Sequence, residues 1–131
     1  MATLRDKKGF SLVEFMIAIS ILGIGLLALA GLQSTAIRGN RTSKDVTSAI
    51  LLAEKKMEEL KNTSFTALAN GTFNDSNNPL TSTGGTGGIF TRSWTISTYS
   101  GSTYMKQITI TITWTEGGLS KSASLDTVIS R

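Results

Sequence analysis

Lys7-Lys8-Gly9-Phe10-Ser11-Leu12-Val13-Glu14 opens an apolar run that continues to Leu32. Between Phe10 and Leu32 the only formally charged residue is Glu14. About 20 apolar residues suffice to cross the hydrocarbon core of a bilayer as a helix, so this run is long enough. A carboxylate at the centre of such a helix costs on the order of 2.5–3.5 kcal/mol, which makes an ionisable residue there a candidate functional group. At a rise of ~1.5 Å per residue, Glu14 lies about 6 Å along a helix from Phe10, near the boundary and not at the centre. A cleavable secretory signal would also begin with basic residues, and Ala28-Leu29-Ala30 supplies a small-residue cleavage site. Such signals, however, carry an apolar core of about 7–15 residues, and an acid within it is out of place. The stretch therefore reads as a retained helix with a basic end, a glycine at the boundary and one carboxylate in its first turns.

Gly9-Phe10-Ser11-Leu12-Val13-Glu14 resembles the leader junction of type IV prepilins and of the pseudopilins of type II secretion. That resemblance implies several things. A membrane peptidase would cut between Gly9 and Phe10, removing a leader 1–9 whose basic residues are Lys7 and Lys8. The same enzyme would methylate the new amino terminus at Phe10. Glu14 would pair with the charged amine of a neighbouring subunit during assembly. Partners implied are the prepilin peptidase/methyltransferase, other major and minor pilins, the inner membrane and the pilus assembly platform. The implied location is a single pass through the inner membrane with a periplasmic C-terminal domain, later incorporated into an extracellular pilus or a periplasmic pseudopilus. The runs 16–19 and 26–33, with the ending 112–118 and 125–130, resemble minor pilins of the PilV type. Two departures stand out. Many major pilins close a C-terminal loop with a disulfide, and this chain has no cysteine. Major pilins usually carry a proline where Gly31 stands here.

Composition sets further bounds. A chain of 131 residues suits one folded domain beside its N-terminal helix. Of the net charge of +4, half comes from Arg5, Lys7 and Lys8 against Asp6, all ahead of the expected cut. The remainder is too small and too scattered for a nucleic-acid surface. Without cysteine the core must hold without disulfide staples.

Beyond Leu32 the pattern becomes amphipathic. Val46, Ile50, Ala53, Met57 and Leu60 step by four, three, four and three, one face of a helix. Lys55 with Glu59 and Glu58 with Lys61 suit the opposite, wet face. One helix is expected over 11–61, weakened at Gly31 and at Gly39-Asn40, and reaching roughly 75 Å. Segment 62–88 is rich in Thr, Ser, Asn and Gly, with breakers at Asn77-Asn78-Pro79 and along 84–88. It reads as a long loop with a short ordered piece at 65–68; in pilins it would be the αβ-loop. Its glycine run lacks the Lys-Ser/Thr of a phosphate loop, and Asp75 with its asparagines does not have the spacing of a calcium loop. Segments 89–99, 104–115 and 119–129 read as strands. Ile108, Ile110, Ile112 and Trp114 share one parity, as do Phe90, Trp94 and Ile96, and Ala123, Leu125 and Ile129. Ser100-Gly101-Ser102 and Glu116-Gly117-Gly118 supply the hairpin turns.

The expectation is an α+β, pilin-like protein: a long N-terminal α-helix packed on a small antiparallel sheet of three or four strands. Its parts are the leader 1–9, a hydrophobic helix 10–32 and a headgroup 33–131. The headgroup divides into an amphipathic helix 33–61, the αβ-loop 62–88 and a sheet over 89–131. With neither histidine nor cysteine, the common general bases, thiol nucleophiles and zinc sites are missing. Glu54, Glu58 and Glu59 are the one carboxylate cluster, expected on a solvated helix face. The reading is a non-enzyme without cofactor or metal. Its first function class is a minor type IV pilin that primes or modifies the pilus. The alternatives are a pseudopilin, or a binding module tethered by one helix, such as an adhesin or a DNA-uptake accessory. Intact-mass measurement and N-terminal sequencing of the membrane-extracted protein are expected to give a chain starting at methylated Phe10. A start at Gly31 would instead identify an ordinary signal peptide.

Overall fold

The computed structural model describes residues 9–131. The leader before Gly9, with Lys7 and Lys8, lies outside the described residues. Helix α1 spans Leu12–Lys61, as the apolar and amphipathic patterns predict. The chain enters it through an amide bond from Phe15 to the Ser11 carbonyl at 3.1 Å. Gly31 and Gly39-Asn40, expected as weak points, do not interrupt it. Glycine in a helix costs roughly 1 kcal/mol against alanine, too little to break a run of good formers such as Leu and Ala. Thr35 also returns its hydroxyl to the Gly31 carbonyl at 3.2 Å, so this polar group is satisfied within the helix.

The chain forms two compact units, one ending at Asn40 and the other comprising Arg41–Arg131. In the first, every described side chain is exposed, including the whole apolar run. In the second, the remainder of α1 packs against a sheet. The strands are β1 (Gly71–Asn74), β2 (Thr91–Thr98), β3 (Met105–Glu116) and β4 (Leu119–Ser130). They form a four-stranded sheet in the order β1-β2-β3-β4, and every neighbouring pair is antiparallel. Antiparallel neighbours in sequence order need only short connections, which the turns supply. Gly117 and Gly118, at φ 58° and 82°, join β3 to β4; two successive positive φ values are what a tight two-residue hairpin requires.

The core forms where the strand alternation predicts. Ile108, Ile110 and Ile112 are fully buried, with Trp114, Phe90 and Ile96 beside them. The helix contributes Ala49, Leu52, Ala53, Met57 and Leu60 to the same cluster. Here the expected face needs correction. Val46 and Ile50 are 37% and 45% exposed, while Ser48, Leu52 and Lys56 turn inward. The helix buries its small residues, Ser48 beside the 81–90 segment and Ala49 in the core cluster, and Lys56 buries its stem while its head finds partners. A pattern of large apolar residues alone therefore points the face too far round.

Segment 62–88 also differs from a plain loop. It contributes β1, with Phe73 opposite Trp94, and the two rings stack with centroids 6.0 Å apart. The ordered piece expected at 65–68 is a single turn, with the Ala67 amide on the Ser64 carbonyl at 2.9 Å. Leu80 is buried and exchanges backbone hydrogen bonds with Phe90 at 2.6 and 3.1 Å. Gly88 is required there, because a Cβ on it would fall 1.8 Å from the Leu80 oxygen.

The outward face of the sheet is covered by hydroxyls. Thr91, Ser93 and Thr95 of β2 lie beside Thr113, Thr111 and Thr109 of β3, and these beside Ser122, Ser124 and Asp126 of β4. Asp126 accepts a hydrogen bond from Thr109. Removing a fully buried side chain should be costly where removing an exposed one is not. Ile110→Ala is expected to lose about 2–5 kcal/mol in urea unfolding of the full chain in detergent. Ile50→Ala should stay within about 0.5 kcal/mol of wild type. The reverse order would restore the helix face read from the sequence.

Candidate functional site

The residues singled out by the sequence sit at the start of α1. Gly9 and Phe10 precede its first turn, and Phe10 is exposed. Glu14 is the acidic residue of that first turn. A negative charge at a helix N-terminus is favourable, by about 0.3–1 kcal/mol at an exposed site, because the first amides have no partner in the helix. Among the described residues no ion pair reaches Glu14. Its carboxylate therefore stands on an otherwise apolar, exposed surface of Phe15, Ile17, Ile21 and their neighbours. Among the described residues α1 is the one helix long and apolar enough to cross a membrane. Such a surface is stable only in lipid or against other apolar helices, since water would have to cover it throughout.

The second set of charged residues lies inside the Arg41–Arg131 unit. Arg92 of β2 shares the inward parity of Phe90, Trp94 and Ile96, and it is buried. It forms an ion pair with Asp75; the two side chains are only 9% and 7% exposed. Its Nε donates to Asp75 at 2.8 Å and its Nη1 to the Leu52 carbonyl of α1 at 3.0 Å. Asn78 brackets its backbone, accepting from the Arg92 amide at 2.8 Å and donating to the Arg92 carbonyl at 2.9 Å. One guanidinium thus joins helix, sheet and the 62–88 segment. The planar fork of arginine suits this, because it can serve several acceptors at once.

Two lysines act similarly. Lys56 of α1 places its Nζ 4.2 Å from the Trp94 ring centroid and 2.7 Å from Glu59. Lys106 of β3 donates to the carbonyls of Phe65 and Leu68 and lies 4.8 Å from the Phe65 ring centroid. These groups bind the domain to itself. Among the described residues no group of three metal-ligating side chains occurs. Glu54, Glu58 and Glu59 lie exposed on α1, as expected. The sequence reading missed Arg92, although its signal was present: a charge at an inward position of a strand calls for a buried partner.

Burial by itself would raise the Asp75 pKa. The Asn77 amide, the hydrogen bond and charge of Arg92 and the charge of Lys56 outweigh it, and together they hold the carboxyl below its ordinary 3.8.

The family described as the prokaryotic N-terminal methylation motif matches residues 4–30. That stretch holds Gly9, Phe10 and Glu14 and most of the exposed apolar run. Neither any curated protein nor any solved structure shows significant similarity to the chain. The motif supports a type IV pilin-like or pseudopilin-like protein, and the long helix on a four-stranded antiparallel sheet is a pilin-like arrangement.

Breaking a buried pair by removing one partner costs about 3–5 kcal/mol. Asp75→Ala is expected to destabilise the full chain by that amount at neutral pH. A depressed pKa in the folded state gives stability that is present above the unfolded value and is lost as pH falls through the folded one. The gap between wild type and Asp75→Ala in thermal unfolding should therefore be constant at neutral pH and close below about pH 4. A gap that persists unchanged into strong acid would remove the ion pair from the account.

Proposed function

We propose that this chain is a minor type IV pilin of the PilV type, a structural subunit that primes or modifies a pilus and not an enzyme. The observation that carries the reading is the methylation motif over residues 4–30, set on a helix whose apolar surface has no partner among the described residues. In this reading the prepilin peptidase cuts between Gly9 and Phe10 and methylates Phe10. The apolar run of α1 first holds the protein in the inner membrane and then packs among the helices of other pilins, while the Arg41–Arg131 domain stays on the periplasmic side.

Glu14 has a defined part in this scheme. Leaving lipid headgroups and water for a helix bundle would strand its charge, and an unpaired buried carboxylate is costly. Cleavage creates one new cation close by, the amine at Phe10. Within one chain that amine is about one helical turn from Glu14. Axial stagger between subunits in a filament brings the carboxylate of one chain to the amine of the next, so the pair sets register during addition. Register-setting is the best-attested use of a buried polar pair.

Glu14→Leu is expected to reach the membrane at normal levels, keep its folded domain and fail to co-purify with sheared pili. Glu14→Gln should fall between, since it keeps an acceptor without the charge. Undiminished incorporation of Glu14→Leu would take the carboxylate out of assembly. A deletion strain that keeps its pili but loses protein secretion would move the chain to the pseudopilins.

A further inference from the structure

The two edges of the sheet are unlike. β1 is short, and the backbone beyond it is tied to Arg92 of β2 through Asp75 and Asn78 and to Phe90, just before β2, through Leu80. β4 runs over Leu119–Ser130 and, among the described residues, has β3 as its only neighbour. The register shows which of its groups are free. The Arg131 amide donates to the Tyr104 carbonyl at 3.0 Å, so that pair is a hydrogen-bonded one. Antiparallel pairs alternate, and the odd-numbered residues of β4 therefore bond to β3. Ser122, Ser124, Asp126 and Val128 turn their amides and carbonyls to the open edge.

Natural edge strands are guarded by brevity, proline, bulges or inward-pointing charge. β4 has no proline, and its register with β3 is unbroken over its whole length. Lys121, opposite Trp114, is the one inward charge, and it stands near the start of the strand. The inward residues that follow are Ala123, Leu125, Thr127 and Ile129, and all are only partly buried. Their partners on β3, Ile112, Ile110 and Ile108, are fully covered. The helix thus covers β2 and β3 and leaves a groove beside β4. Leu125 and Met57 provide its apolar lining, with Glu54, Glu58 and Lys61 on the helix side.

We propose that the β4 edge is a strand-addition site for an extended segment of a partner protein. The edge specifies the occupant's backbone, because a row of alternating amides and carbonyls is matched only by another extended strand. The groove specifies its side chains. Every second residue faces inward, with an apolar one over Leu125 and basic ones beside it for Glu54 and Glu58. The site lies wholly within the Arg41–Arg131 unit, so it stands or falls independently of the filament reading.

The test uses the full chain in detergent micelles and a capped seven-residue peptide of threonines alternating with lysine, valine and lysine. Hydrogen exchange at Ser122, Ser124 and Asp126 should slow at least tenfold when the peptide is added. A peptide N-methylated on the amides facing β4 should give no slowing. Ser124→Pro removes a donor from the open edge and none from the ladder to β3, a position where proline is tolerated. It should weaken the peptide at least tenfold while leaving the thermal midpoint near that of wild type. Glu54→Lys with Glu58→Lys should weaken it comparably. If Ser124→Pro fails to fold, the N-methylated peptide still separates backbone pairing from charge. Equal binding of the N-methylated peptide, or no slowing at millimolar peptide, would overturn the proposal. Concentration-dependent slowing without peptide would overturn it in favour of a second copy of this chain.

Discussion

Arg92 is the group on which the arrangement of the folded domain most depends. It is a full positive charge at an inward position of a sheet, where burying a cation without compensation is prohibitive. The domain meets this constraint by bringing Asp75 from the 62–88 segment and the Leu52 carbonyl from α1 to the same guanidinium. The segment can then be irregular along most of its length and still have a fixed path. β1, the Leu80 bridge and the Asn78 bracket all lie within reach of that anchor. In a chain without cysteine, ion pairs and cation–aromatic contacts at Arg92, Lys56 and Lys106 tie down what a disulfide would otherwise hold. Such polar anchors fix geometry more than they add net stability. The stability itself comes from the layer of isoleucines and leucines between helix and sheet.

How much of this was legible in the sequence depends on the length of each signal. The long helix and the three long strands carry strong periodicities, and the structure places them within a residue or two of the expected bounds at most ends. The alternation of Ile108, Ile110, Ile112 and Trp114 gave the buried face of β3 directly. β1 escaped because Gly71-Thr72-Phe73-Asn74 is too short for any alternation to register, and its pairing with Trp94 is a tertiary fact. The helix face was misjudged at Val46 and Ile50 because hydrophobicity marks large apolar residues, while the buried face includes Ser48, Ala49 and the stem of Lys56.

The candidate site shows a different limit. Glu14 announces itself by chemistry, as a lone carboxylate among apolar residues. Its place in the first turn of α1 was equally readable. What it pairs with is not, because the apolar surface around it has no counterpart among the described residues. An inward-pointing Arg92 could have been read as demanding an acid, but four carboxylates along 54–75 compete for that role in the sequence. Only the path of the loop selects Asp75.

The outward face of the sheet has a consequence of its own. Across β2, β3 and β4 it is composed largely of threonine and serine side chains, with Asp126 as its formal charge. Hydroxyls donate and accept with water equally well and do not titrate in any ordinary range. Such a surface keeps the same hydration in acid and in alkali, and in fresh water and in brine, since there is little charge on it for protons or salt to modulate. This face of the domain would present the same surface in each of them.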